Sequence, residues 1–138
     1  MAVDAYVLDA HPIVGSYRGE SFRPFVQGLI RQARQGEIDL RLTAVNAGEI
    51  VYGIERSLGR AAGEDVLQEL QVWTHIVAAD LELSLRAAWF KLRGGISYAD
   101  CFAAALAHRD GIPLITGDPE FRRVEDVIRV VWLDSLAT

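Results

Sequence analysis

Short hydrophobic runs alternate along this chain with longer stretches in which apolar residues recur every three or four positions. The short runs predict β-strands at residues 5–9, 38–43, 76–78, 114–116 and 130–133. The longer stretches predict helices at residues 21–35, 45–58, 64–74, 81–93 and 98–109. Strands that alternate with helices are typical of an α/β domain. We therefore predict a central, mostly parallel sheet of four to five strands flanked by helices.

Local signals refine two of these boundaries. Ser21 is a candidate N-cap for the helix over 21–35, and Gly36 follows its predicted end. Pro12 lies shortly after the first strand, where it fits the first residue of a further helix.

Composition narrows the class of protein. The 138 residues suit one domain over 1–138, and 51% of them are hydrophobic. No apolar stretch approaches the roughly 20 residues that span a bilayer, and the N-terminus lacks the basic region of a signal peptide. A single cysteine, Cys101, favours a reducing cytoplasm. We therefore predict a cytoplasmic protein without a membrane partner.

Four acidic residues occupy similar positions relative to the predicted elements. Asp9 ends the first strand, and Glu49 lies early in the helix that follows the second. Asp100 is near the start of the alanine-rich helix, and Asp118 follows the strand Leu114-Ile115-Thr116. The carboxyl ends of parallel strands and the starts of the following helices share one edge of a sheet. The four carboxylates are therefore predicted to converge.

Such convergence needs protons or a cation. Two carboxylates about 4 Å apart repel by roughly 4 kcal/mol at an effective dielectric near 20. Oxygen ligands favour Mg²⁺ or Mn²⁺, which contact phosphate oxygens and lower the pKa of bound water. A phosphodiester-cleaving site is one interpretation. The alternative is that Glu49 and Asp100 only complement the dipoles of their helices.

Four stretches of the chain together resemble the PIN-domain ribonucleases, specifically the VapC-type toxins of toxin–antitoxin pairs. These stretches are YVLDA at 6–10, VNAGEIVYGI at 45–54, ISYADCFAAALA at 96–107 and LITGDPEF at 114–121. The resemblance implies a PIN fold and a Mg²⁺- or Mn²⁺-dependent endoribonuclease. It also implies a VapB-like antitoxin, whose C-terminal tail wraps the toxin, and RNA as the substrate.

The resemblance also assigns expected roles to residues of this sequence. Asp9 and Asp118 would bind the metal directly, and Asp100 would complete its shell directly or through water. Glu49 would orient or deprotonate the attacking water. Cleavage would leave a 5′-phosphate and a 3′-hydroxyl. Thr116 falls on a hydroxyl position that supports the site.

Substrate contacts are expected from polar and basic residues near the quartet. The candidates are His11, Asn46, Arg56, Lys91, Arg93 and Arg122. His11 departs from the family pattern, which usually has a small hydroxyl residue two positions after the first aspartate, and it would add a pH dependence near 6.5 if it reached the site. The alternative for the basic residues is ordinary surface charge. The net charge of −5 fits a basic partner segment that covers the site.

A homodimer is also expected. Phe25, Leu29, Ile54 and Leu58 are candidates for a dimer surface or an antitoxin groove, and core packing is the alternative.

Two other functions remain open from the sequence alone. One is a different Mg²⁺-dependent phosphoesterase, although the aspartyl-phosphate type needs a second aspartate where His11 stands. The other is a non-catalytic PIN-like scaffold that binds RNA or protein.

Overall fold

Five parallel strands form a single sheet in this computed structural model, which describes residues 3–136, with side chains described up to residue 134. The strands are β1 (Asp4–Leu8), β2 (Ile38–Thr43), β3 (His75–Val77), β4 (Leu114–Thr116) and β5 (Val130–Trp132). Their order across the sheet is β3-β2-β1-β4-β5, and every neighbouring pair is parallel. The predicted α/β fold with a parallel sheet is confirmed.

Helices connect and cover the strands. They are α1 (Ala10–Tyr17), α2 (Arg23–Arg34), α3 (Ala44–Leu58), α4 (Arg60–Trp73), α5 (Leu81–Arg93), α6 (Tyr98–Asp110) and α7 (Leu133–Leu136), with a 3₁₀ helix at Pro119–Val124. The prediction that Ser21 caps α2 is wrong. Phe22 occupies the N-cap position without a side-chain bond, because Pro24 fits the first turn and sets a later start.

Two hydrophobic layers enclose the sheet, one on each face. In β1, Val7 packs with α5 and α6, whereas the next residue, Leu8, packs with the cluster that α1 to α4 supply. Leu114 and Ile115 of β4 divide between the two layers in the same way. Successive strand side chains point to opposite faces, so both faces must be covered. Burial on both faces therefore explains why Val7 and Leu8, and likewise Leu114 and Ile115, are consecutive apolar residues.

The register of the strands brings their carboxyl ends to one edge. Leu8 of β1 lies beside Leu42 of β2 and Ile115 of β4. The chain leaves β1 directly into α1 and β2 directly into α3, while β4 runs into the turn before the 3₁₀ helix. Three connections therefore leave from the same side of the sheet.

The residues considered for a dimer surface or groove divide between the core and the surface. Leu29 and Ile54 are buried, Phe25 is half-buried, and Leu58 is exposed. Core packing therefore accounts for Leu29 and Ile54 within this chain. Among residues 3–136, no helix is both long and apolar enough to cross a membrane.

Candidate metal centre

Asp9 forms the floor of an open pocket at the carboxyl edge of the sheet. It follows β1 as the residue before α1, and its side chain is 1% exposed. Its Oδ2 accepts a hydrogen bond of 3.0 Å from the Thr116 hydroxyl, at the end of the neighbouring strand. Its other oxygen, Oδ1, is buried and has no hydrogen-bond partner among the described residues. A buried carboxylate oxygen left in this state is available to a ligand.

The turn after β4 carries Asp118 toward Asp9. The amide of Asp118 donates to the Thr116 hydroxyl at 3.0 Å, so that one hydroxyl bonds both acidic residues. Asp118 Oδ1 accepts from the amide of Glu120 at 3.0 Å and thereby caps the 3₁₀ helix. Thr116 therefore fixes two walls of the pocket relative to each other.

Asp100 enters the pocket from the first turn of α6. Ser97 caps this helix, because its hydroxyl accepts from the amide of Asp100 at 3.2 Å. The amide of Ser97 in turn donates to Glu120 Oε2 at 3.3 Å, which ties the start of α6 to the turn that carries Asp118. Ser97 and Glu120 also line the pocket.

Glu49 reaches the pocket from α3, and a buried polar cluster holds it there. The Asn46 side-chain amide donates to Glu49 Oε1 at 3.0 Å and to the carbonyl of Ala99 at 3.2 Å. Thr43 caps α3 by accepting from the amide of Asn46, and its hydroxyl donates to Asn46 Oδ1 at 2.6 Å. Asn46 is fully buried, so it contacts Glu49 and α6 instead of the pocket's open side.

Three of the acids are close enough to share one cation. One carboxylate oxygen from each of Asp9, Asp100 and Asp118 lies within 4.8 Å of the other two. Burial, then repulsion from Asp100 and Asp118, raises the pKa of Asp9 well above its usual range. Burial and the neighbouring Asp118 raise the pKa of Asp100 to about 7, with Glu49 and Glu120 adding to the effect. A cation would relieve the part of both shifts that repulsion between the carboxylates produces.

The donor set fits a hard divalent ion. The three carboxylates offer only oxygen, and Asp9 Oδ1 is buried without a partner. The described residues that line the pocket include no lysine or arginine that would neutralise the acids. Oxygen-only donors suit Mg²⁺ or Mn²⁺ better than softer metals.

The predicted basic contacts lie outside this pocket, whereas His11 lines it. Arg93 bonds both carboxylate oxygens of Asp126, and Lys91 donates to the carbonyl of Ile96. Arg122 stacks over the Trp132 ring at 5.7 Å, and Arg56 is exposed on α3.

Three residues of the site were not assigned from the sequence: Thr43, Ser97 and Glu120. Ser97-x-x-Asp100 matches the pattern of a helix-capping box, which is a signal that identifies Ser97. Thr43 likewise stands three residues before Asn46. For Glu120 no local pattern is informative, because its contact with Ser97 joins residues 23 positions apart.

The Thr43 cluster gives a stability test. Thr43→Ala should lower the free energy of unfolding by about 1 to 2 kcal/mol, because it removes the N-cap of α3 and the partner of buried Asn46. Urea denaturation measures the change. Thr43→Ser keeps the hydroxyl and is the matched control. Equal losses in both variants would show that the missing methyl group is responsible.

The sequence also matches a known family. Residues 6–127 match the family model of the PIN domain. No curated protein matches the chain.

Several solved structures share this fold at low sequence identity. VapBC-1 from nontypeable Haemophilus influenzae superposes with a TM-score of 0.70 at 19% identity, covering 94% of this chain and 98% of that chain. VapBC2 from Rickettsia felis, bound to a DNA fragment from its promoter, superposes with a TM-score of 0.70 at 14% identity, covering 92% of this chain and 97% of that chain. VapC20 from Mycobacterium tuberculosis, a sarcin–ricin loop cleaving toxin, superposes with a TM-score of 0.69 at 15% identity, covering 88% of this chain and 95% of that chain.

Proposed function

This chain belongs to the PIN-domain family, and we propose that it is a divalent-metal-dependent endoribonuclease, the VapC-like toxin of a toxin–antitoxin pair. The observation that carries this proposal is the cluster of Asp9, Asp100 and Asp118 at the carboxyl edge of the sheet. Structural acids are usually paired with basic groups, whereas none of the described residues lining this pocket is a lysine or arginine. A site that concentrates unpaired carboxylates is suited to binding a cation.

Asp9, Asp100 and Asp118 would hold Mg²⁺ or Mn²⁺. Bound ions of this class polarise phosphate oxygens and lower the pKa of coordinated water. The partner-free Oδ1 of Asp9 supplies one donor atom, and Thr116 keeps the other oxygen of the same carboxylate fixed. The pocket's open side leaves room for a phosphodiester.

Glu49 would position and deprotonate the attacking water. Asn46 bonds one oxygen, Oε1, and Glu49 also lines the pocket. In-line attack would leave a 5′-phosphate and a 3′-hydroxyl. Thr116 and Asn46 would act as positioning residues, because each is fully buried and bonds an acidic side chain.

Single-stranded or looped RNA is the proposed substrate, and His11, which lines the pocket, is the nearest of the predicted substrate contacts. A similar fold cleaves the sarcin–ricin loop in the Mycobacterium tuberculosis protein, which supports a structured RNA loop. Arg56, Lys91, Arg93 and Arg122 would contact RNA beyond the acidic pocket. Because none of them lines the acidic pocket, they would bind phosphates flanking the cleaved bond.

The proposed partners are a VapB-like antitoxin and a second copy of this chain, in the cytoplasm. Solved relatives with this fold include VapBC complexes, which supports the antitoxin. The uncompensated acids of the pocket favour a basic antitoxin segment as the inhibitor.

Metal titration together with RNA cleavage tests the proposal. We expect calorimetry to show Mn²⁺ binding and the loaded protein to cut structured RNA into fragments with 5′-phosphates, because the acids need a cation. A phosphomonoester serves as the comparison substrate. Hydrolysis of that compound alone would favour a general phosphoesterase, and failure to bind Mn²⁺ or Mg²⁺ would favour a non-catalytic scaffold.

A further inference from the structure

Two glycines near the acidic pocket are not explained by backbone conformation. Gly15 lies within α1 and Gly117 lies between Thr116 and Asp118, and neither has a positive φ angle. By contrast Gly111, at the end of α6, has a φ of 65° that favours glycine over other residues. Another constraint must therefore explain Gly15 and Gly117.

That constraint is the space taken by two aromatic rings. A Cβ atom added at Gly117 would lie 2.6 Å from Cε1 and 3.0 Å from Nδ1 of His11. A Cβ atom added at Gly15 would collide with the ring of Phe22. Carbon atoms in van der Waals contact stay about 3.5 to 4.0 Å apart. Each glycine is therefore the residue that allows one ring to lie against the backbone.

The two rings also pack against each other. The His11 and Phe22 ring centroids are 5.4 Å apart, with a tilt of 36° between their planes. Gly15, Phe22, His11 and Gly117 thus form one continuous stack, which we call the ring wedge. It runs from α1 to the turn after β4.

The wedge joins two walls of the acidic pocket. His11 lies in the first turn of α1, two residues after Asp9, and Gly117 directly precedes Asp118. The ring therefore fills the space between the segment that carries Asp9 and the turn that carries Asp118. The Thr116 hydroxyl already bonds these two segments, and the ring adds a second, steric connection.

The His11 ring is held between Phe22 and Gly117 by packing and not by a hydrogen bond to Nδ1. Nδ1 is buried and has no hydrogen-bond partner among the described residues. A buried polar atom without a partner lowers stability, so the favourable contribution must come from packing.

We propose that His11 is a positioning residue: its ring, seated between Phe22 and Gly117, fixes the turn that presents Asp118 to the acidic pocket. The consequence for metal binding rests on the proposed function above, whereas the effect on the turn does not. Glycine at position 117 is required because His11 is present.

A double-mutant cycle on His11 and Gly117 tests this directly in the full chain. Gly117→Ala should perturb the turn when His11 is present, because the new methyl group would overlap the ring. The same substitution in the H11A background should have little effect, because the ring is gone. H11F keeps an aromatic ring at this position but lacks the imidazole nitrogen atoms, so it separates the role of the ring from the role of its nitrogens.

Hydrogen exchange of the Asp118 and Glu120 amides is the first readout. Both amides bond within the turn, to Thr116 and to Asp118. We expect G117A to speed their exchange by about tenfold with His11 present and by less than about twofold in the H11A background. H11A alone should also speed exchange about tenfold, and H11F should restore protection. G28A, in α2, is the matched control because its Cβ would meet only the flexible end of Arg31.

Mn²⁺ affinity measured by calorimetry is the second readout. We expect G117A and H11A each to weaken binding by about tenfold, as outer-shell changes do, and H11F to bind like the wild type. If the wild type does not bind Mn²⁺ but G117A speeds amide exchange only when His11 is present, the proposed metal function is wrong and the ring wedge is supported. If the wild type binds Mn²⁺ and G117A has equal effects on exchange in both backgrounds, the wedge is overturned.

Discussion

Replacing Asp118 with asparagine should lower metal-dependent RNA cleavage by at least about 100-fold while the fold is retained. Asp118 is one of the three carboxylates whose oxygens lie within 4.8 Å of one another. Loss of a group that merely supports a metal ligand costs about 10- to 100-fold in metal affinity or activity, so loss of a ligand should cost at least as much. Cleavage of a labelled RNA loop at saturating Mn²⁺ measures the effect.

Asparagine is the right substitution because it preserves the local structure. Asp118 Oδ1 caps the 3₁₀ helix by accepting from the amide of Glu120, and the side-chain oxygen of asparagine can accept the same bond. Asp9→Ala should also abolish cleavage, but it removes the acceptor of the buried Thr116 hydroxyl and so mixes catalysis with stability.

A matched control separates the loss of this particular charge from a general change in charge. Asp65 is an exposed aspartate of α4, outside the pocket, and D65N removes the same charge from the surface. We expect D65N to cleave like the wild type. Full activity of purified D118N protein, with an unchanged unfolding midpoint, would exclude Asp118 from the metal site.

The convergence of the acids at one edge was predictable from the alternation of strands and helices along the chain. Parallel strands share one carboxyl edge, so Asp9 after β1 and Asp118 after β4 were expected on that edge, and the pairing of β1 with β4 brings them close together. The same rule indicated Glu49, in the second turn of α3, and Asp100, in the first turn of α6, and all four acids line the pocket. The arrangement of strands and helices is therefore enough to place all four acids at one edge of the sheet.

Local helix signals were less informative where the helix depends on tertiary contacts. α1 contains Pro12, Gly15 and Ser16, which are poor residues for a helix interior, and the sequence suggested it only through Pro12. In the structure these three residues and Ile13 are buried against neighbouring elements. Packing therefore stabilises a helix that intrinsic propensity does not favour.

Contacts between distant residues could not be predicted from a single sequence. The fit between His11 and Gly117 joins positions 106 residues apart, and no periodic pattern couples them. Asn46 shows the same limit: its position beside Glu49 suggested a substrate contact, whereas its burial shows an amide bonded within the protein. Both depend on how the elements pack.

In the metal-free protein, stability should fall as the pH rises from about 4 to about 7. The pKa of Asp100 is raised from its usual value of 3.8 to about 7 by burial and by Asp118. Between these two pH values the folded state binds a proton that the unfolded state releases. Raising the pH therefore favours the unfolded state and lowers the free energy of unfolding. The raised pKa of Asp9 acts in the same direction.

Asp100→Asn should reduce this pH dependence and stabilise the metal-free protein near pH 8. A three-unit shift corresponds to about 4 kcal/mol, and with partial solvent screening we expect a gain of about 2 kcal/mol. The Ser97 cap is kept, since it bonds the backbone amide at position 100. Urea denaturation at several pH values in a chelator measures both effects. Wild-type stability that rises over the same pH range would contradict the raised pKa.

Manganese should reverse the order of stability of the two proteins. A ligand that binds only the folded state adds about 2.7 kcal/mol at 100 times its dissociation constant. The wild type should gain this amount near pH 8, because Mn²⁺ replaces the proton that the clustered carboxylates otherwise require. The D100N variant lacks one of the three carboxylates and should gain far less. If Asp100 binds the cation, D100N should be more stable than the wild type without metal and less stable with it. If Asp100 were only structural, the substitution would change the stability of the metal-free and the metal-loaded protein by the same amount.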